Sequence, residues 1–143
     1  MEYFEDLTVG TTEQFGDYAV TREELTTFAG QYDPQPIHTD PEAASDSMFG
    51  GLIASGWHTA AMTMRLLVDH RLADSRALGA LGVDSLRWPE PVRPGDRLSV
   101  RTEIREREPI DDERGRVAIA VTTTTDSGDT VLSMVGQVLW ERR

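Results

Sequence analysis

Gly56-Trp57-His58-Thr59-Ala60-Ala61-Met62-Thr63-Met64-Arg65-Leu66-Leu67-Val68-Asp69-His70-Arg71-Leu72 is the longest helical pattern in this sequence, with Trp57, Ala60, Ala61, Met64, Leu67, Val68 and Leu72 recurring at three- and four-residue steps. At 1.5 Å per residue the run spans about 25 Å. Met62 and Leu66 widen its apolar stripe beyond one packing face, which predicts a central helix enclosed by other structure. Beyond Gly82 the period changes to two. Alternation runs through Val83 to Trp88, through Leu98, Val100, Thr102 and Ile104, and through Val117, Ile119, Val121 and Thr123, and a last strand from Thr130 to Trp140 is apolar on both faces in its middle. Turn signals separate them at Pro94-Gly95-Asp96, Asp111 to Gly115 and Asp126 to Asp129. With a β-like segment at Thr11 to Val20, the expectation is an α+β domain in which a curved antiparallel sheet wraps one long helix.

Before the long helix lie shorter elements. Thr21 with Glu24 forms a capping box, and Leu25, Phe28, Ala29 and Tyr32 follow at helical spacing, so a short helix is expected to end near Gly30. Tyr32 to His38 contains Pro34 and Pro36, which remove backbone donors and push their predecessors out of α geometry; a stiff loop is expected. Asp40-Pro41-Glu42 then supplies an N-cap, a proline at the first helical position and an acid in the first turn of a second short helix fading near Ser47. No repeat or linker interrupts the 143 residues, which read as one domain, 1–143.

Composition excludes several classes. All 14 basic residues are Arg, so lysine Schiff-base and P-loop chemistry have no residue to perform them, and the absence of Cys removes thiolate nucleophiles, disulfides and cysteine-ligated metal. A net charge of −11 opposes nucleic-acid binding and an anionic membrane surface. The acidic opening Met1 to Asp6 lacks the basic start of a signal peptide, and no run approaches the ~18 apolar residues of a span. A cytoplasmic protein is expected.

Two features carry possible chemistry. Asp33 and His38 lie five residues apart on the proline-stiffened segment, able to act as carboxylate and imidazole around one water. The same residues also suit a plain Asp-Pro turn followed by a polar loop residue. Gly50 to Gly56 leads into the long helix, whose free N–H groups can approach a polarised carbonyl or simply be capped by glycine. Ser55 is no nucleophile elbow, because G-x-S-x-G requires Gly where Ile53 and Trp57 stand. No metal-binding spacing is present. His70 suits a helix C-terminus, and Arg101, Arg105 and Arg107 among Glu103, Glu106 and Glu108 read as a solvated strand face.

Phe28-Ala29, the run from Asp33 through Gln35-Pro36-Ile37-His38 to Asp40-Pro41, Ala43-Ala44, the helix-opening Gly56 and Pro91 to Asp96 together resemble the MaoC-like dehydratases, relatives of the (R)-specific enoyl-CoA hydratases. The resemblance extends from Phe4-x-Asp6-Leu7-x-Val9-Gly10 to the closing strands. It implies a single hot dog fold and a hydratase or dehydratase acting on a 2-enoyl thioester. Asp33 and His38 would share the water, and the Gly56 N–H would hold the thioester oxygen. Gln35, Pro36, Ser55, Trp57 and His58 would contact substrate. No cofactor or metal is implied beyond the CoA or acyl-carrier thioester of the substrate itself. A homodimer or higher homo-oligomer is expected, with Arg87, Arg93 and Arg97 as candidate contacts for anionic CoA. Departures from the usual pattern are Gln35, Tyr32 and Ser55-Gly56-Trp57, where the family commonly has Asn, a small or acidic residue, and His-Gly-Met. They motivate the alternatives, a non-catalytic acyl-thioester-binding subunit or, with less motif support, a hot dog thioesterase.

Overall fold

The computed structural model describes all 143 residues. A 3-10 turn at Phe4–Asp6 leads into β1 (Thr12–Ala19), followed by α1 (Arg22–Tyr32), α2 (Pro36–Thr39), α3 (Pro41–Ser45) and α4 (Gly56–Leu67), which continues as a π-helical turn over Val68–Leu72. Then come β2 (Ala77–Arg87), β3 (Arg97–Pro109), β4 (Arg114–Thr125) and β5 (Thr130–Glu141). The five strands pair antiparallel throughout, in the order β1-β3-β4-β5-β2. No helix is long and apolar enough to cross a membrane.

The core lies between α4 and the sheet. Met62, Leu66 and Leu67 of α4 pack on Leu98, Val100, Ile104, Val117, Ile119 and Val121, with Val131, Leu132 and Trp140 completing it. Gly16, at φ +95°, lets β1 cross close over α4, since a Cβ there would stand 2.7 Å from Leu66 Cδ2.

The buried face of α4 differs from the apolar stripe expected from its sequence. His58, Thr59, Met62, Thr63, Leu66 and Leu67 face inward, while Trp57, Met64 and Val68 are exposed. Counting hydrophobic residues misplaces the face because three polar side chains sit on it. Thr63 is fully buried with its Oγ1 2.7 Å from Thr123 Oγ1 on β4, a satisfied pair that makes a polar core position tolerable. Thr63→Ala should therefore destabilise by about 1–3 kcal/mol by orphaning the Thr123 hydroxyl, whereas Thr63→Val with Thr123→Val should be close to neutral. Chemical denaturation of the two variants measures the difference.

Other boundaries also move. α1 continues through Gly30 to Tyr32 and stops because Asp33 precedes Pro34, which drives Asp33 out of α geometry (φ −153°, ψ 68°). The expected loop contains a helical turn, α2, with Pro36 at its first position where the missing N–H costs nothing. Asp40 ends α2 and caps α3 by accepting from the Glu42 and Ala43 N–H groups at 3.0 and 3.3 Å. The π-helical turn ends the α geometry five residues before the expected Leu72, and there Arg71 reaches Glu2 and Glu13 at 3.2 and 2.8 Å. β2 begins six residues before the expected Val83, because Gly79 and Gly82 obscure its alternation.

Candidate active site

The short helices bring Asp33 and His38 together. Asp33 is the C-cap of α1, its N–H donating to Ala29 O at 2.8 Å, and α2 turns the chain so that His38 Nε2 comes 3.3 Å from Asp33 Oδ2. His38 is buried, and its Nδ1 lies 2.7 Å from Ile53 O. A carbonyl only accepts, so Nδ1 carries the hydrogen and Nε2 is the nitrogen left for chemistry. An ionised Asp33 and an unprotonated Nε2 at this separation would be two acceptors face to face. A proton on Nε2, or a water donating to both, resolves the opposition.

The carboxylate is held from both sides. Gln35 Nε2 donates to Oδ1 at 2.7 Å, and the buried Ser55 hydroxyl donates to Oδ2 at 2.7 Å. Gln35 first, then Ser55, and then the nearby His38 hold the Asp33 carboxyl below its ordinary range, against the opposing effect of burial. Gln35 and Ser55, expected to touch substrate, are thus engaged with the acid. Ser55 also occupies the N-cap of α4 without a side-chain cap bond, so its hydroxyl is spent on Asp33.

Gly56 opens α4, and its N–H has no backbone or side-chain acceptor. His38 and Gly56 line one cavity of about 230 Å³, walled by Phe49, Thr59, Trp88 and Val131. The Trp88 ring lies directly on Gly56: a Cβ there would stand 2.6 Å from two ring carbons. Trp57 is 60% exposed and meets Trp88 edge-on with centroids 5.1 Å apart. Pro36 is exposed at the start of α2, where its role is to shape the turn. His58 does not line this cavity. Its ring is buried against α1, with Nε2 3.3 Å from Glu24 Oε1. Sequence reasoning missed Trp88 and Phe49 as walls; a Trp just before Pro89 at the end of a strand was the only signal for the former.

Of the three candidate CoA contacts, Arg97 is clamped to Asp17 at 2.6 and 2.9 Å, and Arg93 donates to Phe49 O at 2.7 Å. Arg87 is exposed and donates only to the neighbouring Leu86 carbonyl, so it alone of the three has its guanidinium free of a distant partner. No group of three or more His, Cys, Asp or Glu residues is placed to hold a metal ion.

Residues 6–127 match the family model of the MaoC like domain. The chain belongs to the MaoC-like family. A MaoC-like dehydratase from Rhodospirillum rubrum is 41% identical with a TM-score of 0.92, covering 100% of this chain and 99% of that one. The 3-hydroxybutyryl-CoA dehydratase of Methylorubrum extorquens is 35% identical over 132 residues, 91% of this chain and 78% of that protein. An (R)-hydratase from A. caviae, 23% identical and covering 95% of this chain and 98% of that one, superimposes with a TM-score of 0.75 and shares the fold. The central helix on a five-stranded antiparallel sheet is the hot dog fold. Relatives of this chain include 3-hydroxyacyl-thioester and 3-hydroxybutyryl-CoA dehydratases, which supports an enzymatic role of the hydratase or dehydratase type.

Proposed function

We propose that this protein adds water across, and removes it from, the double bond of a 2-enoyl thioester, interconverting enoyl-CoA and 3-hydroxyacyl-CoA. The observation that carries this reading is the Asp33–His38 pair at 3.3 Å, with His38 sharing a cavity with the unpaired Gly56 N–H. In the hydration direction, Asp33 accepts a proton from water as the water oxygen bonds to Cβ, and His38 Nε2 orients that water. The electron pair of the double bond moves onto the thioester oxygen, which the Gly56 N–H and the positive end of the helix stabilise. The pair then returns one proton to Cα, so protons balance over the cycle.

The test is loss of enoyl-thioester absorbance with crotonyl-CoA and a panel of branched and longer enoyl-CoAs, together with a thiol assay. Water addition without free CoA is expected with at least one substrate. Release of CoA would mean a thioesterase. Binding of many thioesters with turnover of none would mean a binding subunit.

The proposed active form is a homodimer paired through β2. This strand lies at the sheet edge with its outward backbone unpaired, and Leu78, Leu81 and Val83 on it are exposed, Leu81 by 61%. Such an edge invites pairing. A second, apolar cavity of about 330 Å³ between α4 and the sheet, lined by Met64, Leu67, Leu78, Val83, Met134 and Val138, reaches the same edge. Leu81→Asp should convert the dimer to monomer in analytical ultracentrifugation; an unchanged mass would place the interface elsewhere.

A further inference from the structure

His58 has no part in the proton transfers above, yet it is the most constrained imidazole outside them. It is 2% exposed, and its ring stacks on Phe28 with centroids 4.6 Å apart and planes 9° from parallel. Nε2 faces Glu24 Oε1, the oxygen that also accepts the Tyr18 hydroxyl. Nδ1 is buried with no partner. A carboxylate only accepts, so Nε2 carries the hydrogen; a second proton, on Nδ1, would be a buried donor with nothing to receive it. Burial accordingly holds the His58 pKa below its ordinary value, although Glu24 pulls the other way. The charged groups around it are Glu24 on α1 and, along the open groove it shares with β1 and α1, Glu23 and Arg65. His58 is therefore a neutral, planar block.

Its position gives the block a consequence. Glu24 and Phe28 are four residues apart and share one face of α1, and α1 ends in Asp33, whose N–H is closed onto the helix at Ala29 O. Any slide or rotation of α1 carries the Asp33 carboxylate with it. On the facing side, the first turn of α4 contains Ser55, Gly56 and His58. Ser55 grips Asp33 itself, while His58 grips α1 further back, at Glu24 and Phe28. Two separated contacts fix an orientation that one cannot. We infer that His58 is a positioning residue, wedged between α1 and the first turn of α4, that sets the Asp33 carboxylate relative to the Gly56 N–H. This rests on the hydration reading of the site.

His58→Ala and His58→Gln in the full-length protein test it, the glutamine keeping a planar group and an N–H for Glu24. Well below the unfolding temperature, His58→Ala should lower kcat by about 10²-fold, the loss that small misplacement of reacting groups produces. KM should stay as in the wild type, the pH profile should keep every limb with only the Asp33 limb moving upward, and His58→Gln should recover most of the rate. A folded His58→Ala with wild-type kcat overturns the proposal. So does a His58→Gln that is as slow as the alanine variant and has lost a limb of the pH profile, since His58 would then transfer protons itself. Carbon NMR of the Asp33 carboxyl gives a readout independent of turnover. In His58→Ala the loosened Ser55 contact should let that carboxyl titrate closer to an ordinary Asp, and no movement overturns the proposal. If the wild type hydrates no thioester, the hydration reading fails and the Asp33 titration still decides the positioning role.

Discussion

Asp33→Asn is expected to lower kcat/KM for enoyl-thioester hydration by about 10²–10⁴-fold, the usual contribution of a general base, while the protein remains folded. The amide has nearly the shape of the carboxylate. Its oxygen can accept from Gln35, and its NH₂ can donate to the Ser55 oxygen or to His38 Nε2, so the side chain keeps polar contacts with the same neighbours. What disappears is the basic oxygen. The pH dependence follows from the same contacts. Gln35 and Ser55 hold the Asp33 carboxyl below its ordinary range, so it is ionised at every pH above that lowered value and loses its charge only as pH falls through it. The limb of kcat/KM belonging to Asp33 therefore lies below about pH 4, the ordinary Asp value. Gln35→Ala removes the largest lowering contact and should move that limb upward. A limb that stays in place in Gln35→Ala would show that another group is the base.

The sequence made the architecture readable where a single physical signal dominates. Alternating residues in β3 and β4 mark strands because each has one face on the core, and the apolar steps of α4 mark a helix. The orientation of α4 was not readable, because the pairing of Thr63 with Thr123 depends on residues sixty positions apart. α1 overran its glycine because Gly30 is exposed and nothing but Pro34 stops the helix. At the site, the five-residue spacing of Asp33 and His38 was legible and the structure does bring them within 3.3 Å. The work of their neighbours was not: Ser55 and Gln35 are expected from the resemblance to contact substrate, yet both donate to Asp33. His58 follows Trp57 directly in sequence, but a helix turns about 100° per residue, so one side chain is exposed and the other lies against α1.

The same rotation makes Gly56 the sharper test of how the thioester is held. An alanine there would normally favour a helix, by up to about 1 kcal/mol, so loss of folding is not the expected outcome of Gly56→Ala. Its methyl group would instead stand 2.6 Å from Trp88 Cδ2 and Cε2 and 2.9 Å from Cζ2. These are atoms of a rigid indole already abutted by Trp57, so the ring cannot give way as a flexible chain end would. Either Trp88 is displaced into the cavity or the first turn of α4 tilts, and in both cases the N–H no longer addresses the thioester oxygen. Loss of one such donor typically costs 10²–10³-fold, so kcat should fall by about 10²-fold. Trp88→Ala in the same chain removes the clash without touching the N–H. If the methyl acts through Trp88, the double variant should be faster than Gly56→Ala alone, a coupling of sign opposite to two independent losses. A double variant as slow as Gly56→Ala would mean that the methyl obstructs the thioester itself, and a Gly56→Ala with full activity would move the oxyanion contact away from the head of α4.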